Sequence, residues 1–174
     1  MGVKGESESA AGKNRTTAER KSERELVITR RFDAPARMVF EAWTTPALLK
    51  RWWAPKSSGA PLLSCDLDAR TGGKYRFEFG HPHDSSRTMV FFGKYLEVTP
   101  YSHLVWTNEE SDDGAVTTLT LAEKDGKTLL TLRELYPSKE ALDQAFDGME
   151  GGMPEQFDQL DELLVILAAE AGQP

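Results

Sequence analysis

The sequence predicts an α+β protein: one strand, two short helices, a run of six strands and a long terminal helix. Three observations carry this. From Pro61 to Tyr136 apolar residues recur with a period of two, the mark of half-buried strands. Just after the first strand, Val39, Phe40 and Trp43 recur at helical spacing. Near the end, Met153, Phe157, Leu160, Leu164 and Leu167 form one apolar stripe at helical period.

Residues 1–24 are rich in Gly, Ser, Glu, Lys and Arg and hold only isolated apolar residues. Such a stretch cannot bury enough surface to offset its ordering entropy. It reads as a disordered tail, with a frayed helix around Thr17–Arg24, ahead of one domain over residues 25–171. In the first strand Leu26, Ile28, Arg30 and Phe32 share a face, with Val27, Thr29 and Arg31 opposite. Asp33-Ala34-Pro35 then reads as a helix start, Asp capping and Pro in the first turn. Thr45-Pro46 restarts a second short helix carrying Leu48, Leu49 and Trp52, because the residue before proline disfavours helical geometry.

The meander opens with Leu63, Cys65 and Leu67 on one face. Gly72-Gly73 turns the chain into Tyr75, Phe77 and Phe79, which alternate with Lys74, Arg76 and Glu78. His81–Ser86 reads as a hairpin loop. Met89, Phe91, Gly93 and Tyr95 follow on one face, with Val90, Phe92 and Leu96 opposite. Leu104 and Trp106 precede an acidic loop at Glu109–Gly114. Thr117, Leu119 and Leu121 lead to Asp125-Gly126, a hairpin dipeptide. Leu130, Leu132, Glu134 and Tyr136 close the series. Short connections between successive strands imply antiparallel pairing. Ser138 and Glu140 open a helix with Leu142 and Phe146, and Gly148, Gly151 and Gly152 interrupt it before the last helix.

Composition bounds the function. The chain has 174 residues, 39% of them hydrophobic and 28% charged, as in a folded globular protein. It holds no apolar run of membrane-spanning length, so no membrane insertion is expected. The first residues lack the apolar stretch of a secretory signal. A single cysteine, Cys65, excludes an internal disulfide framework and a four-cysteine zinc site, and a reducing cytoplasmic setting is the default. A net charge of −7 argues against nucleic acid as a partner, which calls for a positive field over phosphates.

Several runs together resemble the bacterial homologues of the activator of the heat-shock protein 90 ATPase. They are Phe32-Asp33-Ala34-Pro35, Val39-Phe40-Glu41-Ala42-Trp43-Thr44 and Leu49-Lys50-Arg51-Trp52-Trp53. The resemblance continues through Asp68–Gly73, Gly93–Val98 and Thr128–Arg133, and ends at Gly152-Met153 with Phe157 and Leu160. Met153 departs from the tryptophan often found there. That family lies in the START-related superfamily of helix-grip folds. The resemblance implies a curved antiparallel sheet of about seven strands wrapped around the C-terminal helix, with a cavity between them. It also implies a small hydrophobic ligand, a chaperone partner in a stress response, or pairing into a homodimer.

On that fold the expected cavity wall combines Phe77, Phe79, Met89 and Phe91 with Trp106, Leu119 and Leu132. Met153, Phe157 and Leu160 would face them from the last helix. Such a wall is either an apolar ligand pocket or a filled core. Trp52 and Trp53 point about 100° apart on a helix, so they cannot pack inward equally; Trp53 is the candidate for the mouth. Glu134 shares the inward parity of Leu132 and Tyr136, so Glu134 and Tyr136 are candidate ligand contacts and, if the protein is a cyclase or hydratase, candidate acid/base groups. His81, His83 and Asp84 have metal-ligand chemistry but read as a polar loop, and Cys65 as a buried structural thiol. No nucleophile elbow, phosphate loop or dinucleotide fingerprint occurs, and no cofactor is expected.

Overall fold

The computed structural model describes residues 16–149 and 152–171. The element order is β1 (Thr17–Arg20), β2 (Glu25–Phe32), α1 (Ala36–Thr44), α2 (Pro46–Leu49), β3 (Leu62–Leu67), β4 (Lys74–His81), β5 (Asp84–Thr99), β6 (His103–Thr107), β7 (Val116–Lys124), β8 (Lys127–Leu135), α3 (Lys139–Met149) and α4 (Gly152–Ala171). The strands form one curved, unclosed antiparallel sheet in the order β1-β2-β8-β7-β6-β5-β4-β3. This is the α+β helix-grip arrangement, with β2 paired to the last strand, β8.

The eighth strand corrects the expectation for the N-terminal segment. Thr17–Arg20 is not a frayed helix; it pairs antiparallel with β2, Thr17 opposite Thr29 and Arg20 opposite Leu26. All four residues are exposed, so no apolar alternation announces it. It forms because β2 offers an unpaired edge whose N–H and C=O groups need partners. The start of α1 also differs. Pro35, not Asp33, is the cap residue, and the Ala36 N–H donates to Glu123 Oε1 at 2.8 Å from across the sheet.

Two register shifts re-aim side chains. Between Leu62 and Ser64 the pairing of β3 with β4 slips, so Leu62 turns inward and Leu63 is left 52% exposed, against the expected parity. A second shift between Tyr95 and Glu97 sends Tyr95 and Val98, rather than Leu96, toward the core. Gly93 sits where β5 approaches β6 so closely that a Cβ would lie 2.1 Å from the Thr107 carbonyl oxygen. Asp125 and Gly126 both take positive φ, 57° and 78°, as the two-residue turn between β7 and β8 requires.

Helix α4 packs its stripe, Phe157, Leu160, Leu163 and Leu164, into the same core as Leu26, Ile28, Leu119, Leu130 and Leu132. Phe157 meets Phe32 of β2 edge-to-face at 5.8 Å. Beside this apolar seam lies a buried charge. The Arg30 side chain is 2% exposed and bridges Asp158 at 2.8 Å and Asp161 at 3.1 Å, both on α4. A further bond, to Thr16 Oγ1 at 3.1 Å, ties in the approach to β1.

Replacing Arg30 with Met should therefore lower the unfolding free energy by about 2–3 kcal/mol. The effect stays below that of a fully buried pair because Asp158 is 61% exposed and keeps much of its hydration. Urea unfolding curves of the two proteins check this, and an equal or higher midpoint for the variant would contradict the tie.

Candidate functional site

A cavity of about 260 Å³ lies against the inner face of β4, β5 and β6. Its wall takes Tyr75, Phe77 and Phe79 from β4, Phe91 and Tyr95 from β5, and Leu104 and Trp106 from β6. Trp43 of α1, Leu49 of α2 and Trp53 close it from the other side, with Asn108 and Gln156 as its amides. Eight aromatic rings thus surround the space, and no charged side chain is among the lining residues. Many rings meet edge-on: Trp43 with Trp53 at 5.5 Å, Trp53 with Phe77 at 5.9 Å, Phe79 with Phe91 at 5.5 Å. Phe91 is also 39% exposed, so the cavity reaches the surface beside it.

The position of Trp53 is set by α4. Trp52 is fully buried and donates its indole N–H to the Ala42 carbonyl at 3.0 Å, which anchors the chain after α2. Gln159 of α4 then clamps the next segment. Its Nε2 donates to the carbonyls of Trp52 and Ala54, each at 2.9 Å, and its Oε1 accepts from the Lys56 N–H at 2.9 Å. Gln156 donates to the Trp53 carbonyl, and Glu155 accepts from the Ser57 N–H at 2.9 Å. These bonds satisfy an irregular stretch of backbone and hold Trp53 over the cavity.

Of the residues expected in the wall, Trp53, Phe77, Phe79, Phe91 and Trp106 come together there. Leu119, Leu132, Phe157 and Leu160 do not line it; all four are packed solid where α4 covers the sheet. Met89 has the right parity but lies 37% exposed toward the end of the β4–β5 hairpin. The Met153 side chain falls outside the described residues. Trp43, Leu49, Tyr75, Tyr95 and Leu104 were on the correct faces of their elements and could have been added from parity. Asn108 and Gln156 carry no sequence pattern that would have placed them.

Glu134 and Tyr136 lie outside the cavity wall. The Tyr136 hydroxyl donates to Glu134 Oε1 at 2.7 Å. Glu134 is paired in register with Leu26 and Thr117, deep in the sheet. Burial pushes its carboxyl above the ordinary range, opposed by the bond from Tyr136. The Tyr75 and Tyr95 hydroxyls, and that of Tyr136, are all pushed up chiefly by burial and stay neutral. The Cys65 thiol is pushed up to about 11, mainly by burial, and is unreactive at neutral pH.

The hairpin connection is confined to Pro82 and His83, because β4 runs to His81 and β5 starts at Asp84. His81 Nδ1 accepts from the His83 N–H at 3.1 Å, and Asp84 Oδ1 accepts from the Ser86 N–H at 3.0 Å and its hydroxyl at 2.6 Å. Among the described residues no three His, Cys, Asp or Glu side chains gather as a metal site, and no helix is long and apolar enough to cross a membrane.

A curved sheet gripping a terminal helix, with an aromatic cavity on its uncovered half, defines the START-related class. Within it, the chain belongs to the family described as activator of Hsp90 ATPase homolog 1-like protein, whose model matches residues 33–165. Among solved structures, a Rhodobacter sphaeroides protein is 28% identical with a TM-score of 0.79, the match covering 88% of this chain and 99% of that one. A Staphylococcus epidermidis protein is also 28% identical, with a TM-score of 0.70 over 85% of this chain and 93% of that one. An AHSA1-like protein from Aeromonas hydrophila shares the fold at 20% identity and a TM-score of 0.63, over 79% of this chain and 93% of that one. No curated protein sequence matches the chain.

The buried acid gives a pH signature. A carboxyl raised in the folded state favours folding while it is protonated, below its unfolded pKa, and that contribution is lost as pH rises through the folded value. Glu134→Gln should therefore be as stable as wild type near pH 4 and more stable by pH 7, in urea titrations at a series of pH values. A constant difference across that window would mean Glu134 is not held in a raised state.

Proposed function

We propose that the protein binds a small hydrophobic or aromatic molecule in the cavity between β4–β6 and the roof of α1, α2 and Trp53, as a carrier or sensor. One observation carries the reading: a cavity of about 260 Å³ walled by eight aromatic rings and free of charged side chains. Close packing is the norm in protein interiors, and apolar voids large enough for a ligand are rare. A void of about 150 Å³ takes benzene, and pockets for drug-sized ligands begin at about 300 Å³. This space therefore suits a guest of one or two fused rings.

Family membership supports a second reading, a partner of the Hsp90 chaperone, since the family is described by that activity. A chaperone ATPase assay with and without the protein separates the two, because acceleration insensitive to any cavity ligand would favour the chaperone. Acid/base catalysis by Glu134 or Tyr136 gains no support, as both stand apart from the cavity.

Leu104→Phe tests the first reading. Leu104 is 1% exposed and borders the cavity, so a larger side chain has space to enter. The variant should keep its melting temperature within a few degrees and lose at least about tenfold in affinity for a bound aromatic. Native mass spectrometry before and after denaturation, followed by titration of the released molecule, provides the measurement. Unchanged affinity in the filled variant would place the ligand elsewhere.

A further inference from the structure

The hydrogen-bonding groups of the cavity are unevenly committed, and this specifies the chemistry of its occupant; the inference rests on the ligand-binding reading above. Tyr75 and Asn108 meet in the wall. Asn108 Nδ2 donates to the Ala115 carbonyl at 2.7 Å and to the Thr117 hydroxyl at 3.2 Å. A backbone carbonyl can only accept, so the amide orientation is fixed and both its donors are engaged. Tyr75 has one hydroxyl hydrogen, and the Thr107 carbonyl takes it at 2.7 Å. That carbonyl, too, can only accept. The same hydroxyl also reaches Asn108 Oδ1 at 3.2 Å, so one hydrogen serves two acceptors, and Tyr75 Oη and Asn108 Oδ1 each keep a lone pair for a further donor. Gln156, the other amide of the wall, donates one N–H to the Trp53 carbonyl and retains its second N–H and its Oε1.

The field at this end is unfavourable to anions. Burial, then the charge of Glu110, Tyr95 and Glu109 push the Tyr75 hydroxyl up. No lysine, arginine or histidine lines the cavity to receive an anionic guest. One donor of the wall is orphaned: Trp43 Nε1 is buried without a partner. A ligand hydroxyl can donate to an acceptor pair and still accept, whereas an ether can only accept.

We propose that the cavity selects a neutral planar aromatic molecule bearing a hydroxyl or N–H donor, whose hydrogen is shared between Tyr75 Oη and Asn108 Oδ1, and that it rejects aromatic carboxylates. Planarity follows from the ring-lined wall, where flat guests stack or meet edges. Neutrality follows from the missing counter-charge, and the donor from the two committed side chains.

Calorimetric titration of the full chain with β-naphthol, its methyl ether and β-naphthoate tests the assignment. The naphthol should bind about tenfold more tightly than the ether, the worth of one good hydrogen bond, and the naphthoate more weakly than either. In Tyr75→Phe the advantage of naphthol over ether should shrink to about twofold, with an unchanged circular-dichroism spectrum showing that the variant folds. Ether or naphthoate binding the wild-type chain as tightly as naphthol would overturn the donor assignment and leave the cavity reading standing. Failure of all three to bind would remove the cavity reading and this assignment with it.

Discussion

The Arg30 guanidinium, buried between sheet and helix, sets the rotation of α4, and the site follows from that rotation. A buried charge is stabilising only if its partners are well placed. Asp158 and Asp161 lie three residues apart, on neighbouring positions of one helix face, and both reach Arg30. The guanidinium also stands 5.5 Å from the Phe32 ring. With these contacts made, Phe157 and Leu160 must turn into the core. Glu155, Gln156 and Gln159 must then present themselves to the chain after α2. The glutamines hold Trp53, and Trp53 closes the cavity. An ion pair on β2 thus governs the position of an indole on the far side of α4.

The cavity exists because α4 covers only part of the sheet. Its stripe is matched by Ile28, Leu132 and Leu119, a row that crosses β2, β8 and β7 in register. The row continues to Leu104 on β6, and there the helix no longer reaches. The rest of the sheet is roofed by α1, α2 and the strapped segment, which bring Trp43, Leu49 and Trp53 to the cavity. Leucines interdigitate to native density, while rigid rings held edge-on leave space between them. Void and aromatic lining thus share one cause.

The fold was legible because its elements follow strong periodicities: the alternation of β4, the Asp125-Gly126 turn and the stripe of α4 needed no tertiary information. The first strand was not legible, since Thr17–Arg20 is polar throughout and is strand only through the edge of β2. The site was half legible. Parity told which face of a strand looks inward, and Phe77, Phe79, Phe91 and Trp106 share that face beside the cavity. It could not tell which part of that face lies beneath the helix, so Leu119 and Leu132 were assigned to a space that α4 fills. Bulges at Leu62/Ser64 and Tyr95/Glu97 broke parity where no sequence signal marks them. The polar determinants were the least legible, because Asn108, Gln156 and Gln159 act through carbonyls remote in sequence.

The same registers set Glu134 and Tyr136 apart from the cavity. Leu26, Glu134, Thr117, Trp106 and Tyr95 form one row across β2, β8, β7, β6 and β5. Trp106 and Tyr95 border the cavity; Glu134 is two strands away from Trp106, roughly 10 Å at the usual strand spacing. A general acid or base must come within hydrogen-bond reach of the group it serves. Thr117, 1% exposed, fills the position between them and takes the hydrogen bond from Asn108. The row therefore reaches the cavity at the Tyr95 phenol, with the Asn108 amide among the other lining residues. Its carboxyl stays toward the other end, bonded to Tyr136 and outside the cavity wall.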